Sequence, residues 1–206
     1  MKLTHKFAWD SRRLNTVEAC GFSTVEMVIT LAVILILGAI ASPMLMRSVR
    51  IYQLNDSATR LADIVKLTRF DAIRNNKNAD VRFQQNGANW LVWRDSNING
   101  TPDPTETQLV LGGYADMLAA GAVPNPAPIA ASLGGGGTLI MNTVSGANGS
   151  IRFDARGALV PVGNVYVFYL GNAGDPASGY RAVLVMPAGT TQIWISSAAG
   201  DWRRTS

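Results

Sequence analysis

Residues 95–106, DSNINGTPDPTE, place oxygen-bearing side chains at nearly every second position. The stretch fits the calcium-loop pattern D-x-N-x-N-G-x5-E, in which carboxylate and amide oxygens ligate the cation and a glycine, here Gly100, makes a sharp turn. The predicted ligands are the carbonyl of Thr101 and the side-chain oxygens of Asp95, Asn97, Asn99, Asp103 and Glu106. The alternative is a polar hairpin loop rich in turn residues, because β-like segments rather than helices flank it.

The C-terminal residues GDWRRTS combine Trp202 with Arg203 and Arg204. An aromatic ring stacks on nucleic-acid bases and guanidinium groups pair with phosphate, so this tail is a candidate DNA contact. The alternative is a solvated basic tail, since charge patterning alone carries little information. A formal net charge of only +4 indicates no extended basic surface on the rest of the chain.

The 206-residue chain has one cysteine, Cys20, and one histidine, His5, both within its first 21 residues. A mature chain that begins after this segment has no disulfide, no Cys or His metal site and no nucleophile–histidine arrangement. Acidic side chains remain, but their spacing singles out no acid–base pair. We therefore predict no catalytic residues, no enzymatic activity and no small-molecule substrate.

Glu26 directly precedes 20 consecutive uncharged residues, 27–46. A helix of that length, at about 1.5 Å per residue, spans the hydrocarbon core of a bilayer. A carboxylate in such a segment costs about 2.5–3.5 kcal/mol unless it has a partner. A plain signal anchor does not need this glutamate, and a secretory signal peptide, cleaved after the AIA at residues 39–41, rarely opens its apolar region with one.

The sequence CGFSTVE around Glu26 resembles the type IV prepilin cleavage motif. The resemblance implies that the prepilin peptidase cleaves between Gly21 and Phe22, that Phe22 is N-methylated, and that Glu26 is the fifth residue of the mature chain. It also implies that Glu26 pairs with the cationic Phe22 amine of a neighbouring subunit as a filament assembles. Pro43 falls where the superfamily often has a helix-kinking proline.

One long helix is predicted to carry this segment, from about residue 23 to residue 74. Pro43 need not end it, because proline in a membrane helix kinks more often than it terminates. Beyond Pro43 a stripe recurs at spacings of three and four. The stripe consists of Ile51, Leu54, Ala58, Leu61, Val65, Thr68 and Ala72. We expect the first half of the helix in the membrane and the stripe of the second half against a globular head.

Short β-like runs follow the polar residues NNKN at 75–78. DVRFQQ and NWLVWRD are separated by a glycine-bearing turn, which predicts a hairpin. The further candidate strands are TQLVL, GTLIM, GSIRFDARGAL, NVYVFYL, YRAVLVM and TQIWISS. Their regular separation by turn residues indicates stacked antiparallel sheets. Between residues 112 and 137 we expect a long surface connection with little defined structure.

Four segments resemble the GspH/FimT group of pseudopilins and minor pilins: RLADIVKLTRFDAIRNN, WLVWRDSNINGTPDPTE, IRFDARGAL and YRAVLVMPAGTTQIW. The resemblance implies an α+β, pilin-like fold, with a long N-terminal helix followed by an antiparallel β-sandwich head. The expected divisions are a cleaved leader at 1–21, a transmembrane half-helix at 22–46, an amphipathic half-helix at 47–77 and a periplasmic head at 78–206.

The same resemblance implies a structural subunit of a type II secretion pseudopilus or a type IV pilus, at its tip or in its initiation complex. Such a chain crosses the inner membrane once, with its N-terminus cytoplasmic and its head periplasmic, before it enters the filament. Its implied partners are other pilins or pseudopilins, the prepilin peptidase and inner-membrane lipid. We expect no cofactor. Calcium is the one ion for which the sequence contains a binding motif.

Two alternatives stay open at this point. One is a FimT-like role in DNA uptake, which in that group uses a C-terminal G-R-x-R motif. Here Asp201 follows Gly200 and the two arginines are adjacent, so the motif is not matched. The other alternative is a secreted β-domain released by cleavage after Ala41.

Overall fold

The structure is a computed structural model that describes residues 21–133, 140–143 and 148–205. Residues 1–20, with Cys20 and His5, lie outside the described residues. The chain divides into two compact units, Met1–Pro43 and Met44–Ser206. The division falls inside the first helix, next to its only internal proline among the described residues.

Helix α1, Thr24–Asn75, is bounded by capping interactions at both ends. Ser23 precedes it, and its Oγ accepts the Val25 N–H at 3.3 Å, which satisfies one of the free donors of the first turn. At the other end Asn76 adopts a positive φ of 49°. The amides of Asn76 and Lys77 then donate to the carbonyls of Ile73 and Ala72, the pairing of a Schellman motif. The predicted helix and its end at NNKN are therefore confirmed.

The first part of α1 is apolar on all sides. The helix is long and apolar enough to cross a membrane, judged by its length and composition, and no residue in its most apolar window is buried. Pro43 does not interrupt the helix, as predicted. The kink predicted at Pro43 stays a prediction.

The second part of α1 buries the predicted stripe. Its buried residues are Leu54, Ala58, Leu61, Ala62, Ile64, Val65, Thr68 and Ala72. Only Ile51 of the predicted set stays partly exposed. Thr68 enters the core at no polar cost because its hydroxyl donates to the Ile64 carbonyl at 2.9 Å. The three-and-four spacing thus identified the core-facing side of the helix.

Eleven strands occur among the described residues. They are β1 Ala79–Asn86, β2 Asn89–Asp95, β3 Gln108–Leu111, β4 Asp116–Leu118, β5 Ile140–Thr143, β6 Asn148–Phe153, β7 Leu159–Val160, β8 Asn164–Gly171, β9 Tyr180–Val185, β10 Thr191–Ser196 and β11 Arg203–Arg204. The first sheet has the order β3-β2-β1-β6-β7, and the second has the order β11-β10-β9-β8-β4, with β5 also on β8. Every described pairing is antiparallel except β5 with β8. The antiparallel two-sheet head is thus confirmed, with one parallel pair in addition.

The central core lies between α1, the first sheet and one face of the second sheet. Alternate residues of β1, Val81 and Phe83, point into it, as do Phe168 of β8 and Val183 of β9. The ring of Phe83 meets Phe168 edge-on at a centroid distance of 5.7 Å. Because β8 and β9 are buried on both faces, they form nearly continuous apolar runs.

A second core covers the other face of the second sheet. The segment between β4 and β5 folds onto this face through a 3-10 turn, Ala120–Ala122, and helix α2, Ala127–Ser132. Val123 and Ile129 are buried there against Val165 and Val167 of β8. The expectation of a poorly defined surface connection was therefore wrong for residues 115–133. The sequence did not reveal this packing, because the segment consists mainly of small residues and has few large apolar side chains.

Candidate functional site

The predicted cleavage site lies at the start of the described chain. The space around Gly21 is open, since a Cβ on this residue would meet no atom within 4 Å, and Phe22 is 76% exposed. Glu26 is exposed in the first turn of α1. Within the described residues Glu26 forms no ion pair. Its predicted partner, the amine of a processed Phe22, is not part of an unprocessed chain.

Glu26 also lies where a carboxylate favours the start of a helix, which sequence reasoning missed. Ser23 and Glu26 form the pattern S-x-x-E at a helix start, the signature of a capping box. The Ser23 hydroxyl accepts the Val25 amide rather than the Glu26 amide, and among the described residues no hydrogen bond joins the Glu26 carboxylate to Ser23, so the reciprocal bonds of a capping box are not formed. A carboxylate in the first turn is still favoured by the positive end of the helix dipole. A test of the assembly role must therefore separate the charge of Glu26 from its effect on the helix start.

The predicted calcium loop is closed by its own carboxylates. Asp95 is fully buried, and its carboxylate accepts the amides of Asn99 at 3.1 Å and Gly100 at 2.9 Å. Arg82 Nε lies 2.5 Å from Asp95 Oδ2, but its N–H is not aligned for a hydrogen bond, so the contact is an ion pair. Gly100 has a φ of +81°, and a Cβ there would lie 3.3 Å from the Arg82 guanidinium, which explains the glycine.

The remaining predicted ligands bind one another. Asp103 Oδ2 accepts the side-chain amides of Asn97 at 2.7 Å and Asn99 at 3.0 Å. Glu106 accepts the Ser96 amide at 2.9 Å and the Asp103 amide at 3.2 Å. Among the described residues no group of three or more His, Cys, Asp or Glu side chains is arranged to hold a metal ion. The side-chain oxygens that were predicted to ligate calcium instead accept hydrogen bonds from other groups of the loop. Calcium binding therefore stays a prediction.

The C-terminal tail is placed differently from the prediction. Trp202 is buried in the second core, and its Nε1 donates to the Pro124 carbonyl at 2.9 Å. It is thus unavailable for stacking on a base, and this part of the DNA prediction is corrected. Arg203 and Arg204 form β11, opposite Ile195 and Trp194 of β10, and both are exposed. Adjacent strand residues point to opposite faces, so the two arginines do not form one basic patch.

A polar cluster that the sequence did not reveal ties α1 to two loops of the head. Asp175 accepts Arg50 of α1 at 2.9 Å, the Tyr114 hydroxyl at 2.7 Å and the Ser178 hydroxyl at 3.0 Å. These bonds, led by that of Tyr114, lower the pKa of the Asp175 carboxyl. The guanidinium of Arg50 also lies 5.6 Å from the Tyr114 ring centroid. The cluster fixes the head on the first turns of α1 that follow Pro43.

The family model described as Type II transport protein GspH matches residues 57–189, well over half of the chain. The chain belongs to the GspH family. The matched range begins in the buried stripe of α1 and ends in the turn after β9, so it covers the helix–head packing and most of both sheets. The predicted resemblance to the GspH/FimT group is thereby confirmed.

A search of solved structures adds one similar chain, the type IV minor pilin FimU of Pseudomonas aeruginosa (strain PAO1). The match has 14% sequence identity and a TM-score of 0.46, and it covers 75% of this chain and 94% of that chain. No curated protein sequence matches the chain.

Membership of the GspH family gives the general role. The chain is a minor pseudopilin or minor pilin of a type II secretion system or type IV pilus. Its long apolar N-terminal helix fits a pilin anchored by a single membrane pass. The family is structural, in agreement with the predicted lack of enzymatic activity, and its members assemble with other pilins or pseudopilins.

Proposed function

We propose that this GspH-family chain is cleaved between Gly21 and Phe22, is methylated on Phe22, and enters the tip or initiation complex of its filament through an ion pair of Glu26. The observation that carries the proposal is the all-round apolar start of α1. No residue in its 18-residue window is buried within the chain. Such a surface needs lipid before assembly and neighbouring helices afterwards.

The size of the exposed apolar surface supports a location in lipid before assembly and among neighbouring helices afterwards. The large apolar side chains between Phe22 and Met46 are all at least half exposed, apart from Val33 at 49%. Burial of one Val, Leu, Ile, Phe or Met side chain gives about 1.5–3 kcal/mol. Fifteen such residues make an aqueous location of this segment untenable. Because lipid tails are as apolar as leucine, release from the bilayer into a filament requires a further, specific attraction.

Glu26 supplies that attraction in the proposal. Cleavage creates a cationic amine on Phe22, four residues from the Glu26 carboxylate, and N-methylation keeps the amine cationic. Two opposite charges in an apolar helix bundle attract each other strongly, since the local dielectric constant is low. Each subunit offers one amine and one carboxylate, so every subunit added to the filament can neutralise a charge of its neighbour.

Two substitutions of Glu26 test the proposal. Glu26→Ala removes both the charge and the polar side chain from the first turn, whereas Glu26→Gln removes only the charge, because glutamine is also favoured at this position of a helix start. We expect both variants to be processed and inserted but to be depleted from sheared filaments. Normal incorporation of Glu26→Gln together with loss of Glu26→Ala would assign the residue to helix capping and contradict the ion pair.

A Ser23→Ala variant is the matched control for the capping effect. It removes the hydroxyl that accepts the Val25 amide and leaves the charge of Glu26 intact. Loss of a helix cap of this kind costs about 1 kcal/mol. We expect Ser23→Ala to enter filaments at close to the wild-type level, as measured by immunoblotting of sheared and membrane fractions from the same cells.

A further inference from the structure

A basic cavity lies at the end of the head that adjoins residue 47 of α1. Its volume is about 200 Å³. Its lining comes from α1 through Arg47 and Ile51, from β9 through Arg181, and from the C-terminal hairpin through Asp201 and Arg203. All of these residues belong to the unit Met44–Ser206. Three guanidinium groups against one carboxylate give the cavity a net positive charge.

Arg181 is a buried cation without a counter-ion. It is 6% exposed, and its hydrogen bonds go to neutral oxygens, from Nε to Asn55 Oδ1 at 2.6 Å and from Nη1 to the Tyr180 carbonyl at 2.8 Å. Among the described residues no acid pairs with it, and Nη2 makes no hydrogen bond but stays accessible to solvent. Burial lowers the pKa of its guanidinium. An uncompensated buried charge is costly, so this arrangement is typical of a site completed by an anion.

The other charged groups leave room for that anion. Asp201 Oδ1 accepts hydrogen bonds from the Ser197 hydroxyl and, at 2.9 Å, from the Ser197 amide. These two bonds are the main cause of the low Asp201 pKa, which is about 2. Its Oδ2 lies 3.3 Å from Arg203, whose side chain is largely exposed. Arg47 has no ion-pair partner within the described part of the chain. Arg47 can therefore turn toward a ligand held by Arg181, and Arg203 can do so by exchanging its exposed contact with Asp201.

The position of Arg47 in the sequence indicates the kind of anion. Arg47 directly follows the uncharged run 27–46, so it is the first charge after the segment that would cross the membrane. Charged side chains at such ends lie at the level of the lipid headgroups. One guanidinium group can donate two parallel hydrogen bonds to the oxygens of a phosphate. Ile51 adds an apolar side chain to the lining of the cavity. A phospholipid brings a phosphate and a glyceryl backbone to this level.

From these observations we infer that the cavity formed by Arg47, Arg181 and Arg203 binds the phosphate headgroup of an anionic phospholipid and holds the head against the bilayer before assembly. The inference rests on the proposed membrane anchoring. DNA is a weaker candidate, because Arg204 lies on the opposite face of β11 and Trp202 is buried, so only one residue of the basic tail faces the cavity.

Native mass spectrometry of the full chain in a neutral detergent, titrated with dihexanoyl phosphatidylglycerol or dihexanoyl phosphatidylcholine, tests the inference. We expect the anionic lipid to bind at least about tenfold more tightly. The double variant Arg47→Gln/Arg203→Gln should lose the preference for the anionic lipid. It leaves the buried Arg181 unchanged. Arg60→Gln/Arg204→Gln makes the same change in charge outside the cavity and should shift binding by less than about twofold.

Three results would overturn the inference: equal binding of the two lipids, equal loss in both double variants, or inorganic phosphate binding as tightly as the anionic lipid. A short DNA duplex that binds only to chains with an intact cavity, and that the anionic lipid does not displace, would reassign the cavity to nucleic acid. Carbonate extraction of membranes checks anchoring separately. A chain that stays membrane-bound but shows no lipid preference refutes the cavity assignment and leaves the proposed function intact.

Discussion

Trp202 packs its indole against the ring of Tyr169, with the ring centroids 5.7 Å apart and the planes inclined by 59°. Tyr169 lies on β8 and Trp202 directly precedes β11, so the contact joins an inner strand of the second sheet to the residues beside its β11 edge. The Pro124 carbonyl accepts the indole N–H and adds the segment before α2 to the same contact. The C-terminal tail is therefore part of the second core.

Trp202→Ala should destabilise the head by about 3–5 kcal/mol, because it leaves a cavity in a packed core and a carbonyl without its donor. The measurement is the urea-induced unfolding transition of the full chain in detergent, followed by circular dichroism. Arg204→Ala, two residues later and exposed, is the control and should change the unfolding free energy by less than about 0.5 kcal/mol. Equal effects of the two substitutions would show that Trp202 is not buried in solution.

Asp95→Asn should destabilise the loop between β2 and β3 whether or not calcium is present. The carboxylate is fully buried, accepts two amides and faces Arg82, which keeps a second, weaker contact to Asp80 at 3.6 Å. We expect a loss of about 2–4 kcal/mol, below the full cost of breaking a buried pair because Arg82 is partly exposed. Urea denaturation in a chelator gives this value directly.

The calcium prediction has its own measurement. If the loop binds the ion, millimolar calcium raises the Tm of the wild-type chain and calorimetric titration gives a saturable heat. Glu106→Gln should remove both effects, because it replaces the carboxylate that closes the calcium-loop pattern. Identical melting of the wild-type chain in calcium and in chelator would refute the prediction and leave residues 95–106 as a structural loop.

Asp201 should contribute stability that depends on pH. Hydrogen bonds from Ser197 lower the pKa of its carboxyl from 3.8 to about 2 in the folded chain. A carboxyl with a lowered folded pKa stabilises the protein above its unfolded pKa, and the contribution disappears as the pH falls through the folded value. The Tm difference between wild type and Asp201→Asn should therefore be full at pH 5 and shrink between about pH 4 and pH 2. A difference that stays constant over this range would contradict the assignment.

Local patterns were sufficient to predict the elements whose residues repeat regularly. The stripe on α1 follows the helical period, and β2 was predicted with the bounds Asn89–Asp95 that the structure has. The short strands β4 and β11 were missed, because two or three residues are too few for a period to emerge. For the same reason GSIRFDARGAL, predicted as one run, in fact contains most of β6, a turn and the start of the two-residue strand β7. Helix α2 was missed because it lies in a segment rich in Gly, Ala and Pro.

Contacts between segments that are far apart in the chain could not be predicted from the sequence. Arg152 and Arg156 each lie two residues from Asp154 in the chain, so proximity along the sequence favours an ion cluster of these three residues. In the structure Arg152 instead pairs with Asp80 on the neighbouring strand, at 2.7 Å and 2.8 Å, which raises the pKa of its guanidinium. Asp154 accepts the amides of Arg156 and Ala158 in its own turn. Register between strands decided the partner, and register was not visible in the sequence.

Processing at Gly21 is the central claim, and the mass of the N-terminal peptide of the mature chain tests it most directly. We predict a peptide that begins at Phe22 and carries one methyl group on its amine, isolated from the membrane and filament fractions. A mature N-terminus at Ser42 would indicate secretion after Ala41, and an N-terminus at Met1 would indicate an uncleaved anchor. Either result would contradict the account of Glu26 as half of an assembly ion pair.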